Sequence, residues 1–186
     1  PAWIHGRHKL EISRIAARSV NPGDGDLALL QRLSQGLQGP PAHFRKLVQK
    51  QDPSGPGWIK HIEKSSNPET VDENWVEAST FFVIRETDQR IIGMVDIRHR
   101  INKFLALFGG HIGYSVRPSE RKKGYGTKIL EMALKYAKTI NIQRVMLACY
   151  KDNEGSRKII VKCGGKLAGE YTYIDNKIIQ IYWIDN

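Results

Sequence analysis

The twenty residues "HIGYSVRPSERKKGYGTKIL", His111–Leu130, restrict the fold more than any other stretch of this chain. An apolar, strand-like run is followed by Pro118, which has no N–H to donate to a ladder. Three consecutive cations and two glycines then lead into a helix. That helix carries Tyr125, Ile129, Met132, Ala133, Tyr136 and Ile140 at helical spacing and Lys128, Glu131, Lys135 and Lys138 on its other face, the pattern of an amphipathic helix laid on a sheet. A strand feeding a glycine turn and a helix offers an anion both unpaired first-turn N–H groups and the positive end of the helix dipole. Arg121, Lys122 and Lys123 add charge there. Neither GxxxxGK[ST] nor the third glycine of GxGxxG is present, so a nucleoside triphosphate or a dinucleotide fits poorly.

Strand signals surround this junction. "STFFVIRE" and "RIIGMVDIRHRI" flank the turn "TDQ" and predict a hairpin, and "RVMLACY" is a continuous apolar run, as expected of a strand covered on both faces. "EGSRKIIVKCGG" predicts a short helix ended by glycine, and "KLAGEYTYI" with "KIIQIYWI" a closing hairpin around "DNK". Earlier, residues 12–20 read as a first strand, residues 26–35 as a helix with Leu27, Leu30 and Leu33 on one face, and "AHFRKLVQKQ" as a second short helix. Residues 52–74 read as a long irregular connection, the kind that more often binds than fills. Residues 1–11 show no periodicity and are read as a disordered end or a remnant of expression.

At 186 residues the chain is long enough for a single domain with one core. Cys149 and Cys163 have neither CxxC spacing nor the partners of a zinc site, so buried free thiols, a cytoplasmic location and no metal are expected. No run is long enough to span a membrane and no secretory leader is apparent, so no membrane partner is expected. The formal net charge of +10 favours polyanionic partners. Nucleic acid is disfavoured among them, since no groove-reading module or interleaving of cations with aromatics is evident.

R-x-x-G-x-G, Arg121 to Gly126, preceded by a strand ending in V-x-P, resembles the acetyl-coenzyme A motif of the GCN5-related N-acetyltransferase (GNAT) superfamily. "DNEGSRKIIVKCGGKL" resembles that family's N-x-x-S/A helix, and the likeness extends from about residue 79 to residue 184. It implies an α/β (α+β type) single domain, with a mixed, mainly antiparallel sheet flanked by helices and a splayed central strand that binds coenzyme A. Residues 12–75 would form the acceptor side. By the same resemblance Gly113, Tyr114, Ser115 and Val116 become the edge for pantetheine. Arg121, Lys122, Lys123, Gly124, Tyr125, Gly126 and Thr127 become the pyrophosphate cradle. Asn153 and Ser156 reach the coenzyme's arms, although Asn153 is equally suited to capping its helix. Tyr114, Tyr125 and Tyr136 are more often core aromatics than catalysts, and Tyr136 is read as core.

The implied activity is acetyl transfer from acetyl-coenzyme A, as co-substrate, to a primary amine. His111 is the preferred base, since imidazole titrates near neutrality. Glu120 and Asp96 stand behind it, Glu120 being read rather as neutralising a neighbour. Where many family members carry a tyrosine that protonates the leaving thiolate, seven residues beyond Asn153, this chain has Ile160, so the proton falls to Tyr150 or to water. Competing readings are a non-catalytic acyl-coenzyme A-binding module and a basic nucleic-acid-associated domain. Polyamines, aminoglycoside-like drugs, amino acids and protein N-termini all remain open as acceptors, and a homodimer is compatible with the sequence.

Overall fold

In a computed structural model the described residues are 10–14, 62–71, 73, 75–88, 90–173 and 175–186. They form two antiparallel sheets. The first runs in the order β1 (Leu10–Arg14), β2 (Ala78–Arg85), β3 (Arg90–Arg98), β4 (Ile112–Val116), and the second in the order β5 (Arg144–Tyr150), β7 (Ile178–Asp185), β6 (Lys166–Thr172). Helices α1 (Lys103–Phe108), α2 (Tyr125–Thr139) and α3 (Glu154–Lys162) are joined by a 3₁₀ turn at Pro118–Glu120 and a helical turn at residues 62–65 among the described elements.

The hairpins, α2 and α3 lie where the sequence patterns put them. β1 begins at Leu10, inside the stretch read as a disordered end, because Leu10 is buried in the core and β1 pairs with β2. The predicted strand beyond Arg14 and both predicted N-terminal helices lie outside the described residues. Within the connection read as irregular, residues 62–65 are helical and Ile62 is buried.

One element was not anticipated. The alternation in "RIIGMVDIRHRI" suggests a strand reaching Ile101, but β3 stops at Arg98. Asn102 then caps α1, its side-chain oxygen accepting from the Leu105 N–H at 2.9 Å, and a cap of that kind outweighs a short continuation of the alternation to Ile101.

β5 is covered on both faces, as its continuous apolar run requires. Val145, Leu147 and Cys149 join the core under α2 with Ile129, Leu130 and Ala133. Met146 and Ala148 pack on the other face with Tyr173, Ile179 and Ile181. The stripe of α2 is thereby buried, each large aliphatic side chain contributing about 1.5–3 kcal/mol. Tyr136 packs edge-on against Phe81, with its hydroxyl 2.9 Å from Ser79 Oγ, consistent with its reading as core. Both cysteines are free, Cys149 buried and Cys163 half-buried, and burial pushes the Cys149 thiol up to about 11 despite Arg157.

Candidate active site

The site is built around β4, which pairs with β3 on one side and forms no ladder on the other. Backbone bonds from Arg98 N–H to His111 O and from Arg117 N–H to Ile92 O, both 2.8 Å, mark hydrogen-bonded pairs at the two ends of that register. Such pairs alternate along an antiparallel ladder, so Gly113 and Ser115 also bond to β3. The peptide groups of Ile112, Tyr114 and Val116 consequently turn outward, toward the β5 side.

At its N-terminal end β4 is fastened to β5. His111 N–H donates to Met146 O at 2.8 Å, and His111 Nδ1 accepts from Met146 N–H at 3.0 Å. The imidazole thus takes the place of a backbone carbonyl. Gly110, at φ 67°, makes this approach possible, since a Cβ there would lie 2.4 Å from Met146 O. Beyond this point the two strands share no ladder. His111 is buried, and burial followed by the nearby Arg98 holds its pKa below the ordinary imidazole value. With Nδ1 accepting, the neutral ring carries its proton on Nε2 and has no free lone pair for an amine's proton.

At the other end the chain leaves β4 through a 3₁₀ turn, Pro118–Glu120, into the basic turn. Lys122 (φ 61°) and Gly124 (φ 82°) are both left-handed, and Gly124 caps α2 without any side-chain acceptor for the first-turn N–H groups. A Cβ on Gly124 would meet nothing within 4 Å, so the cradle is open in front. Gly126 is different. Its missing Cβ would sit 2.6 Å from Ile159 Cδ1, so this glycine lets α2 pack closely on α3. Arg121 is exposed and donates from Nε to Val116 O at 3.2 Å, while Lys122 and Lys123 are exposed as well. The Tyr125 side chain is buried and its hydroxyl accepts from Arg85 at 3.1 Å, which leaves only its backbone facing the cradle.

Across the cleft, Asn153 caps α3 by accepting from Ser156 N–H at 3.2 Å. Tyr114 points to this side. Its hydroxyl is buried without a hydrogen-bond partner of ordinary geometry, and burial raises its pKa well above the ordinary phenol value, with neighbouring Ser156 acting in the opposite direction. Ser115, on the other face of β4, also has a buried, unpartnered hydroxyl. Ile160 belongs to the core. Tyr150 lies at the far end of β5, where its hydroxyl donates to Asp175 at 3.2 Å. Asp96 accepts from Thr80 Oγ1 at 2.9 Å and pairs with Arg98 at 3.1 Å, and the Arg98 guanidinium also donates to Gly110 O.

The acetyltransferase (GNAT) domain family profile matches residues 40–166. The chain belongs to the GNAT family. No curated protein matches the sequence. Among solved structures, the GNAT chain is similar to mutant forms of the spermidine/spermine N-acetyltransferase SpeG from Vibrio cholerae, at 19% identity and TM-score 0.59 over 95% of this chain and 94% of that one. It is also similar to a structure described as a phosphinothricin N-acetyltransferase by assignment, at 14% identity and TM-score 0.59 over 95% and 98%. N-acetyltransferase PseH from Campylobacter jejuni matches at 13% identity and TM-score 0.58 over 95% and 98%. At these identities the three structures establish the fold. Among the described residues no helix is long and apolar enough to cross a membrane.

Sequence reasoning missed Arg85 and the close approach of Gly110 to Met146 on β5. Arg85 lies 35 residues before its partner Glu120, and nothing in its local pattern sets it apart from a solvated strand end. The left-handed Gly110 was available as the second glycine of "FGG" but had no partner in sequence.

Proposed function

We propose that this chain transfers the acetyl group of acetyl-coenzyme A to a primary amine in a ternary complex. The observation that carries this reading is a strand with one free edge that runs from a fastened junction at His111 to an open, cationic helix start at Gly124. A pantetheine chain needs donors and acceptors along an edge, and a pyrophosphate needs amides and positive charge at a helix start. The outward peptide groups of Ile112, Tyr114 and Val116 would serve the first. The amides of residues 122–127, with Arg121 and Lys122, would serve the second. When bound, the coenzyme supplies an activated acyl thioester.

The chain's own part is to bind, orient and hold protons. His111 is assigned the junction, because its Nδ1 is occupied, and the surplus proton of the amine is assigned to water at the mouth of the site. Tyr114 Oη, kept protonated by burial and with only Ser156 beside it, is the donor assigned to the cleft. Tyr150 is the poorer donor, since its hydroxyl is already bonded to Asp175. The burial of Ile160 in the core favours one second reading, a coenzyme-binding module without turnover.

Thermal shift and thiol release test the proposal together. Acetyl-coenzyme A should raise the melting temperature by mass action, ATP should raise it much less, and an amine panel should release free thiol. Equal shifts with ATP would overturn the coenzyme reading, and binding without thiol release from any amine would leave the module.

A further inference from the structure

We propose that Glu120 is the positioning residue of the cradle, clamping the turn from Arg121 to Gly124 in its anion-binding shape. This rests on the coenzyme reading above. The Glu120 side chain is only 4% exposed, and a carboxylate taken out of water is costly unless it is paired and hydrogen-bonded. Its Oε2 accepts from Arg85 Nη1 at 3.1 Å and from Lys123 Nζ at 3.0 Å, and Arg90 Nη1 stands 3.6 Å from Oε1. Burial alone would raise the carboxyl's pKa, but Lys123 and Arg85 outweigh it and hold the value below the ordinary range.

The same Arg85 Nη1 donates to Tyr125 Oη at 3.1 Å, while Asp88 takes Arg85 Nε at 2.8 Å. The turn is therefore held at its entry by Glu120, midway by Lys123 and at its exit by Tyr125, and all three are referred to one guanidinium at the end of β2. Such a clamp has work to do, because Lys122 is left-handed without being glycine, a conformation that costs energy and persists only when its surroundings impose it.

The sign of the charge separates geometry from electrostatics. A carboxylate beside a pyrophosphate site repels its ligand. The cluster holds three cations, Arg85, Arg90 and Lys123, against two carboxylates, Asp88 and Glu120. Glu120→Gln makes it more positive, so Coulomb attraction alone gives tighter coenzyme binding, whereas loss of the clamp gives weaker binding.

Calorimetric titration of coenzyme A into the full chain, Glu120→Gln, Tyr125→Phe and the double variant decides between them. We expect Glu120→Gln, titrated at a temperature where it is folded, to bind about tenfold more weakly, in line with the loss of a charged hydrogen bond, and to melt below the unmodified chain because Arg85 loses a buried partner. Tyr125→Phe should lose affinity less, and the double variant should bind no worse than Glu120→Gln alone, since both cut one chain of contacts. Unchanged or tighter binding by Glu120→Gln overturns the proposal, as does strict additivity. Should Glu120→Gln fail to fold, Tyr125→Phe, which leaves every charge in place, carries the test, and unchanged affinity there overturns it. An unmodified chain that does not bind coenzyme A overturns the coenzyme reading and this proposal together. Binding that the variants leave unaltered overturns this proposal alone.

Discussion

The two ends of β4, a strand of only five residues, lead into junctions built on opposite terms. At the His111 end, a ring nitrogen and a left-handed glycine bring two strands together until a backbone carbonyl stands where a Cβ would be. At the Gly124 end, a left-handed glycine faces open space, and the order comes from a buried carboxylate and the cations around it. One glycine is needed because something is already there, the other because something could come. A positive φ alone does not distinguish a packing glycine from a binding one. What the absent side chain would meet does.

The largest effect expected from breaking this contrast is at Gly110. Gly110→Ala combines left-handed strain with a collision against backbone, which cannot give way as a side chain can, and should cost about 2–4 kcal/mol of stability. Denaturant titration checks it, and a variant of ordinary stability would show that the junction is not tight. Gly124→Asp should do the reverse. It should fold at a cost of only about 1 kcal/mol for the left-handed backbone, which Asp tolerates better than most residues, yet lose about 2–3 kcal/mol of coenzyme affinity by calorimetry, because a carboxylate enters the open cradle. Gly126→Ala sharpens the distinction, since it should cost stability through Ile159 while leaving coenzyme affinity nearly unchanged. Equal affinity losses at 124 and 126 would mean that both glycines face the ligand.

His111→Ala leaves the Met146 N–H buried without its acceptor and should cost about 1–3 kcal/mol at neutral pH. The unfolded imidazole takes its proton near the ordinary value of 6.5, and the folded ring only at lower pH. The unfolded state therefore binds more protons in that window, and stability falls as pH drops from about 6.5 toward the lowered folded value. Unfolding followed across this range should lose that acid sensitivity in His111→Ala. The ascending limb of turnover against pH should stay where it is. Movement of that limb would instead return His111 to the role of base. The smallest effect expected is at Asn153, where Asn153→Ala should cost about 1 kcal/mol through the lost cap of α3, read as a modest fall in melting temperature.

The likeness of the core to the family was legible because its elements are written locally. The stripe from Tyr125 to Ile140, the unbroken "RVMLACY" and the turn residues of the two hairpins each follow from backbone geometry over a few residues. The cradle was legible for the same reason, since strand end, proline, cations and glycines are contiguous. α1 was not, because "RHRI" continues an alternation that only the cap at Asn102 interrupts.

The sequence by itself determined which residues could form strands and helices, where a helix start would meet an anion, and that the cluster there would be basic. Tertiary structure alone decided what each polar group was free to do. It gave His111 Nδ1 to Met146, Tyr150 to Asp175 and Lys123 to Glu120, and it buried the Tyr114 hydroxyl beside Ser156 without a hydrogen bond of ordinary geometry. The physical reason is that propensity and periodicity act between near neighbours along the chain. A hydrogen bond commits two groups that may be 35 residues apart, and a lone pair already committed cannot be read from the residue that carries it.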